Sequence, residues 1–422
     1  MLKTQDNERL TRVGPGTPMG DTFRRYWIPA LLSEELPGPD CAPVRVRLLC
    51  EDLVAFRDTD GGVGLVDAFC PHRRAPMFFG RNEECGIRCV YHGWKFSRDG
   101  TCVDMPSEPP DSLFKTKVTI KAYPTWEGGG FVWTYMGPRD AMPAPPDYEF
   151  VRAPESHRHP SKTLEECNWL QALDGGVDSS HATILHNMDI GDGSWLRDFE
   201  ATVPQLDLER TKYGFMYSGV RTLPDHRWVR VYHFVMPCIQ MRGTVQGLDL
   251  QEGYNPRLDG HLWIPIDDHS TWVFNFMYSY DPKTPLPHEQ AIGVEVRAGR
   301  GPDDLTPDYR SKRNSANDYM IDRALQKSKS FTGIKGVNTQ DFALQEGMGP
   351  IVDRSKEHLG TTDRAVIVMR QLLLEATRDV ERGATPLGAD SAVARDVRPV
   401  DHRIPLDLDW RTALQDELVA RY

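Results

Sequence analysis

No stretch of this 422-residue chain approaches the ~20 consecutive apolar residues that a membrane-crossing helix requires, so no membrane span is expected. The opening residues, MLKTQDNERLTRVGPG, are polar and lack the apolar core of a secretory leader, and a cytoplasmic location is expected. Basic runs are missing and the formal net charge is −11, which argues against nucleic acid as a partner. Six of the 8 cysteines (Cys41, Cys50, Cys85, Cys102, Cys167 and Cys238) are scattered without framework spacing, so reduced thiols are expected in place of a disulfide scaffold. Internal repeats are absent. A phosphate-binding loop is missing too: the run GPGTPMG has no strand before it, and Pro15 and Pro18 remove N–H groups that would hold a phosphate. That run reads as a turn. Lacking a nucleotide site, the chain must draw any reducing equivalents from another protein.

Against these absences stand two short pairs, Cys70-Pro71-His72 and Cys89-Val90-Tyr91-His92. Each offers one thiolate and one imidazole, the mixed ligand set of a Rieske [2Fe–2S] centre, in which two histidines replace two cysteines on one iron. Zinc uses the same atoms, but zinc patterns place two cysteines together and two histidines together, whereas here the order alternates. Neutral imidazoles leave the cluster less negative than four thiolates would, so it takes up an electron more readily. The pattern points to single-electron transfer. Cys85, Cys102, Arg74 and Lys95 nearby read as structural.

From about Val44 to Tyr135 short alternating runs (VRVRLL, DLVAFRD, GLVDAF, VYHGWKF, GGFVWTYMG) are punctuated by Gly, Asp and Pro, as in an all-β module. The Cys/His pairs fall at run ends, where loops project ligands from a rigid sheet. The Pro-rich stretch GPRDAMPAPPDYEF reads as a linker, giving an N-terminal unit over residues 1–150 and a second over 151–422. In the second unit Pro160 to Asn187 reads as helical, with a turn-like Gly175-Gly176. Strands follow at GFMYSGVR, WVRVYHFVMP, MRGTVQGL, HLWIPID and TWVFNFMYSY. Ser311 to Ser328 and Thr362 to Arg382 read as helices, and the residues after Gly383 as an arm on the surface.

A second constellation lies in the predicted helix. Asp178 and His181 are three apart and would share a helix face. His181 and His186 are five apart, about 140° around an ideal helix, so they reach one metal only if the helix bulges or ends between them. Two histidines and one carboxylate on one face of an iron leave positions open for oxygen and water.

The two motifs together resemble those of the Rieske-type non-haem iron oxygenases, the phthalate-dioxygenase-like group in particular. The resemblance runs through GPGTPMGDTFRRYWIPALL, CPHRRAPMFFGRNEECGIRCVYHGWKF, ECNWLQALDGGVDSSH and QEGMGPIVDRSKEHLGTTDRAVIVMRQLLLEA. It implies an α+β fold: an all-β Rieske domain, then an antiparallel-sheet catalytic domain with helices, of helix-grip type. It also implies that Cys70, His72, Cys89 and His92 hold the cluster, and that His181, His186 and a distant Asp hold the iron. Asp341, in NTQDFALQE, matches that Asp, with Asp322, Asp353 and Glu346 as rivals. Asp178 would bridge His181 to His72 or His92 of a neighbouring subunit in a head-to-tail trimer or stacked trimers. A separate NAD(P)H-dependent flavin/iron–sulfur reductase would supply electrons.

A small aromatic acid in an apolar pocket needs a cation, and arginine's fork pairs best with a carboxylate. Arg221, Arg230 and Arg242 are the candidates; Ser179 and Arg242 match the anchors that the resemblance implies. The segment PQLDLERTKYG has no arginine where a second anchor is expected, although Arg210 is close. The activity expected is O2-dependent hydroxylation of an aromatic carboxylate, cis-dihydroxylation first. O-demethylation of a methoxylated or phenoxy acid is the alternative, and electron carriage alone a third reading.

Overall fold

The computed structural model describes residues 2–190, 203–244 and 255–422. Three small antiparallel sheets make up the N-terminal unit. One joins β1 (Trp27–Leu32), β11 (Phe131–Tyr135) and β10 (Thr125–Gly128). Another orders β2 (Val44–Leu48), β3 (Glu51–Arg57), β4 (Val63–Asp67) and β9 (Ala122–Tyr123). The last runs through β5 (Arg81–Glu83), β6 (Gly86–Arg88), β7 (Lys95–Phe96) and β8 (Cys102–Asp104). Val90–Trp94, read as part of a strand, is a loop. Cys70 and Cys89 belong to a separate small core with Val54, Phe56, Ile87, Trp94 and Phe96, which gives the loops that bear them a rigid base.

Helices α1 (Thr4–Thr11) and α2 (Pro18–Phe23) open the chain, and α3 (Glu149–Arg152) leads into the second unit. The second half of GPGTPMG is thus helical: Thr17 Oγ1 caps α2 by accepting from the Gly20 N–H at 3.2 Å.

The second unit is built on an antiparallel sheet ordered β12 (Arg158–Glu165), β18 (Thr271–Ser279), β17 (Arg257–Pro265), β16 (Ile239–Gly243), β15 (Arg227–Val235), β14 (Gly214–Thr222) and β13 (Gln205–Arg210). One face is covered by α4 (Trp169–Val177), α6 (His288–Ala298), α8 (Val337–Gly347) and α9 (Arg364–Glu381). The short α5 (Ala182–Leu185) and α7 (Arg323–Ser328) lie between them in sequence. This is the α+β arrangement expected. Among the described residues, no helix is long and apolar enough to cross a membrane.

Four local expectations are corrected. Pro160–Glu165 is not helical but belongs to the edge strand β12, which pairs with β18 from Arg158↔Tyr278 to Glu165↔Thr271. Gly175 and Gly176 sit inside α4, where a Cβ on Gly176 would lie 2.0 Å from the Trp263 ring and one on Gly175 1.9 Å from the Gln345 amide. Close packing, not a turn, requires them. The tail is no surface arm: β19 (Val400–Ile404) pairs with β15, aligning Asp401 with Arg230. Ser311–Ser328 likewise resolves into an irregular turn at Ser315–Met320 followed by α7.

α4 is tethered through Asp174, which accepts from Arg354 Nη2 at 2.9 Å and Arg370 Nη2 at 2.7 Å. Burial would raise the Asp174 carboxyl, but the two guanidiniums outweigh it and hold it below the usual range. A depressed carboxylate contributes stability above its unfolded pKa of about 3.9 and loses it as pH falls through the folded value. Asp174→Asn is therefore expected to cost about 3–5 kcal/mol near neutral pH by leaving buried arginines unpaired. Thermal melts at pH 7 and pH 3 check this: the gap between wild type and variant should narrow at the lower pH.

Candidate metal centres and cavity

The two Cys/His loops share one construction. The Cys70 N–H donates to the Ala75 carbonyl at 2.8 Å and the Arg74 N–H to the Cys70 carbonyl at 2.9 Å. Nineteen positions on, the Cys89 N–H donates to the Trp94 carbonyl at 2.8 Å and the Gly93 N–H to the Cys89 carbonyl at 2.9 Å. Arg74 and Gly93, at equivalent positions, both take left-handed backbone, with φ of 59° and 78°. That conformation is free for glycine and strained for arginine.

The tips turn their donors together. The His72 and His92 ring centroids are 4.5 Å apart, and His72 stacks on Trp94 at 4.3 Å. Both thiols are buried; burial, then the adjoining Cys89 thiol, pushes Cys70 up to about 11. His72 Nδ1 is buried without a hydrogen-bond partner. Two neighbouring buried sulfurs and an orphaned imidazole nitrogen suit a metal cluster, which would take the thiols as thiolates and satisfy that nitrogen.

In the second unit α4 ends at Val177, so Asp178 and His181 do not share a helix. Asp178 instead folds the loop: Oδ1 accepts from the Ser180 N–H at 2.8 Å, and Oδ2 faces the N–H and Nδ1 of His181, both at 3.2 Å. Burial would raise this carboxyl, but the bonds from His181 and Ser180 keep it below the usual range. His181 and His186 flank α5 at its two ends, which resolves their five-residue spacing.

His181 Nε2 lies 3.5 Å and His186 Nε2 3.4 Å from the same Asp341 oxygen. His186 Nδ1 lies 2.8 Å from Gln340 Oε1, and Gln340 Nε2 donates to the Ile334 carbonyl at 2.8 Å, which sets the amide's orientation. Both Nδ1 atoms are thereby engaged, and both Nε2 lone pairs converge beside one carboxylate. That donor set fits a mononuclear iron. Of the rivals, Asp322 caps α7, Asp353 binds the Ser355 N–H, and Glu346 accepts from the Glu166 N–H and the Tyr319 hydroxyl. Sequence reasoning did not find Gln340, because an amide carries no metal-site signature. Gln340→Leu is expected to weaken metal retention about 10–100-fold, checked by iron content after dialysis against a graded chelator.

The three donors open onto a cavity of about 320 Å³ between sheet and helices. Arg230, Arg242, Arg257, Arg297 and Arg300 line it. Arg242 Nε lies 2.5 Å from Asp259 Oδ1, so its partner is an internal acid; Arg257 lies 4.0 Å from the same carboxylate. Arg230 pairs with Asp401 at 2.9 Å. Arg221 is buried and donates to the Ser179 carbonyl at 3.1 Å, while Arg210 is out on the surface with Glu375. Ser179 Oγ, also lining the cavity, lies 3.0 Å from the Tyr232 hydroxyl.

Residues 26–124 match the Rieske [2Fe-2S] domain model and residues 134–420 the LigXa C-terminal domain like model. The chain is 39% identical over 97% of its length, and 94% of the relative's, to the phthalate 4,5-dioxygenase oxygenase subunit of Pseudomonas putida. The chain belongs to the Rieske non-haem iron oxygenases. This oxygenase subunit is also 38% identical to the 3-chlorobenzoate-3,4-dioxygenase oxygenase subunit of Comamonas testosteroni, covering 99% of both chains. It is 31% identical to the 5,5'-dehydrodivanillate O-demethylase oxygenase subunit of a Sphingobium strain, covering all of this chain and 90% of the other. The fold is shared with dicamba monooxygenase bound to dicamba, at a TM-score of 0.61 and 16% identity, over 85% of this chain and 98% of that one. The oxygenase's cofactors are a Rieske [2Fe–2S] cluster and a mononuclear iron, and it works with electron-donating partner proteins.

Proposed function

We propose that Cys70, His72, Cys89 and His92 hold the cluster, that His181, His186 and Asp341 hold the iron, and that the cavity takes a small aromatic acid for hydroxylation. The observation that carries this reading is the convergence of His181 and His186 on Asp341 at a cavity lined by arginines. When bound, the cluster supplies single electrons and the iron activates O2. The protein's own groups do the rest. Asp178 and Gln340 hold the imidazoles in orientation, Arg242 and Ser179 meet the carboxylate, and Trp263, Phe342 and Val273 enclose the ring. Cis-dihydroxylation balances as ring plus O2, two electrons and two protons. Names of relatives favour an acid: one acts on phthalate, another on 3-chlorobenzoate.

Asp178 bridges, in this reading, to His72 or His92 of a second copy in a head-to-tail trimer. Exposed apolar side chains at both ends support such docking. Phe79, Val90 and Tyr91 project from the cluster domain at 61%, 58% and 56% exposure, and Leu344 and Met348 flank the iron site at 52% and 55%. A separate NAD(P)H-dependent reductase feeds the cluster.

Oxygen uptake driven by a surrogate reductase, screened over aromatic acids, tests the reading. Uptake should depend on one class of acid and yield a cis-diol carrying both atoms of labelled O2. Formaldehyde release would redirect it to O-demethylation. Absence of uptake with every acid would remove it.

A further inference from the structure

Two buried acceptors face one another across β16 and β17 with nothing bonded to them. Gln240 and His261 are directly paired in register, each is 3% exposed, and both line the cavity. His261 Nε2 and Gln240 Oε1 have no hydrogen-bond partner.

The state of the imidazole follows from its other side. Asn275 Oδ1 lies 2.7 Å from His261 Nδ1 and accepts from Arg300 Nη1 at 2.5 Å, while Asn275 Nδ2 donates to Ser161 Oγ at 3.1 Å. The Asn275 oxygen is therefore an acceptor, His261 Nδ1 carries the proton, and Nε2 presents a lone pair to the cavity. Burial, then the charges of Arg242 and Arg300, holds His261 well below the usual histidine range, so Nε2 stays unprotonated. Gln240 Nε2 donates to the Tyr217 hydroxyl at 3.0 Å, which turns its oxygen the other way. Two residues further along the same strands stand Arg242 and Asp259.

We infer that His261 Nε2 and Gln240 Oε1 form a subsite for a hydroxyl group, so that the acid bound in this cavity carries a ring hydroxyl near its anchored carboxylate. A hydroxyl donates to one of the two acceptors. A methoxy oxygen or a second carboxylate would set lone pair against lone pair and leave buried acceptors unsatisfied. The subsite thus selects by penalising the wrong substituent as well as by bonding the right one. It rests on the aromatic-acid reading above for the carboxylate, but not for the hydroxyl.

The test is equilibrium binding by calorimetry to the metal-replete, full-length oxygenase under nitrogen. The ligands are benzoate, the three hydroxybenzoates, the three methoxybenzoates, and phenol with anisole as an acid-free pair. At least one hydroxybenzoate is expected to bind about tenfold more tightly than benzoate and than its methoxy counterpart. In His261→Leu that preference should collapse. In His261→Gln, whose amide can again present an acceptor, part of it should return. Retention of the mononuclear iron and an unchanged far-ultraviolet circular dichroism spectrum verify that the variants fold. Equal binding of hydroxy and methoxy members in every pair, or a preference that survives His261→Leu, overturns the subsite. If no benzoate binds but phenol outcompetes anisole, the aromatic-acid reading falls and the hydroxyl subsite stands.

Discussion

Asp178→Asn is expected to give a protein that folds, carries both cofactors, and turns over about a hundredfold or more slowly. The wild-type carboxylate is an acceptor at both oxygens, taking the Ser180 N–H on one and facing His181 N–H and Nδ1 with the other. Asparagine keeps the volume and one acceptor oxygen but turns an amide donor toward groups that already donate. Lone pairs not used within the loop are those a histidine from a second copy would engage, and the side chain is 22% exposed at this edge of the site. One substitution would therefore weaken the orientation of His181 and, in the head-to-tail arrangement proposed above, the link to the neighbouring cluster. The check combines iron content, the cluster's electron paramagnetic signal and rapid-mixing kinetics. Reduction of the cluster should proceed at the normal rate while product formation lags. A fully metallated variant with normal turnover would discard the bridging role.

Asp341→Ala should be more severe, abolishing turnover because the mononuclear iron is lost. The two Nε2 atoms would retain no carboxylate between them, and a pair of neutral imidazoles is a poor site for a hard divalent ion. Iron should fall by one per chain, with the cluster's visible absorption untouched, since the cysteines proposed to hold it, Cys70 and Cys89, belong to a separate core. Asp353→Ala is the control: that residue is half-exposed and bound to Ser355, so iron and activity should both persist. Retention of the mononuclear iron in Asp341→Ala would reassign the third donor.

Legibility in the sequence followed chemical distinctiveness. Cysteine and histidine at short fixed spacings admit few uses, so the cluster loops and the histidines at 181 and 186 could be read from residue types. Asp341 needed the resemblance, because 155 positions separate it from His186 and only the packing of α8 beside α5 brings the two together. Gln340 left no trace. Strand β12 reads as helix from Pro160 onward because RHPSKTLE shows no apolar alternation. Its buried positions include Lys162, whose ammonium pairs with Glu35 at 2.6 Å and lies 4.5 Å from the Trp272 ring centroid. An ion pair there does what an apolar side chain would otherwise do. The tail misled for a similar reason: VDHRI looks solvated, yet Asp401 is buried because it meets Arg230 and Trp228.

That tail bears on the order in which the molecule is finished as it is synthesised. Every strand pairing of the three small sheets lies before residue 136, so they can form while the larger sheet still lacks strands. Strand β15 pairs with β16 at His233–Val235 and with β19 at Arg227–Val231, so its flank stays open until Val400–Ile404 arrive. At about 5–20 residues per second, the 165 residues between Val235 and Val400 take roughly 8–33 seconds to add. Throughout that interval the guanidinium of Arg230 has no Asp401, and a half-walled cavity faces solvent. Nascent chains stalled short of residue 400 should therefore present the electron-transfer module folded and the substrate chamber open, the form most exposed to chaperones and proteases.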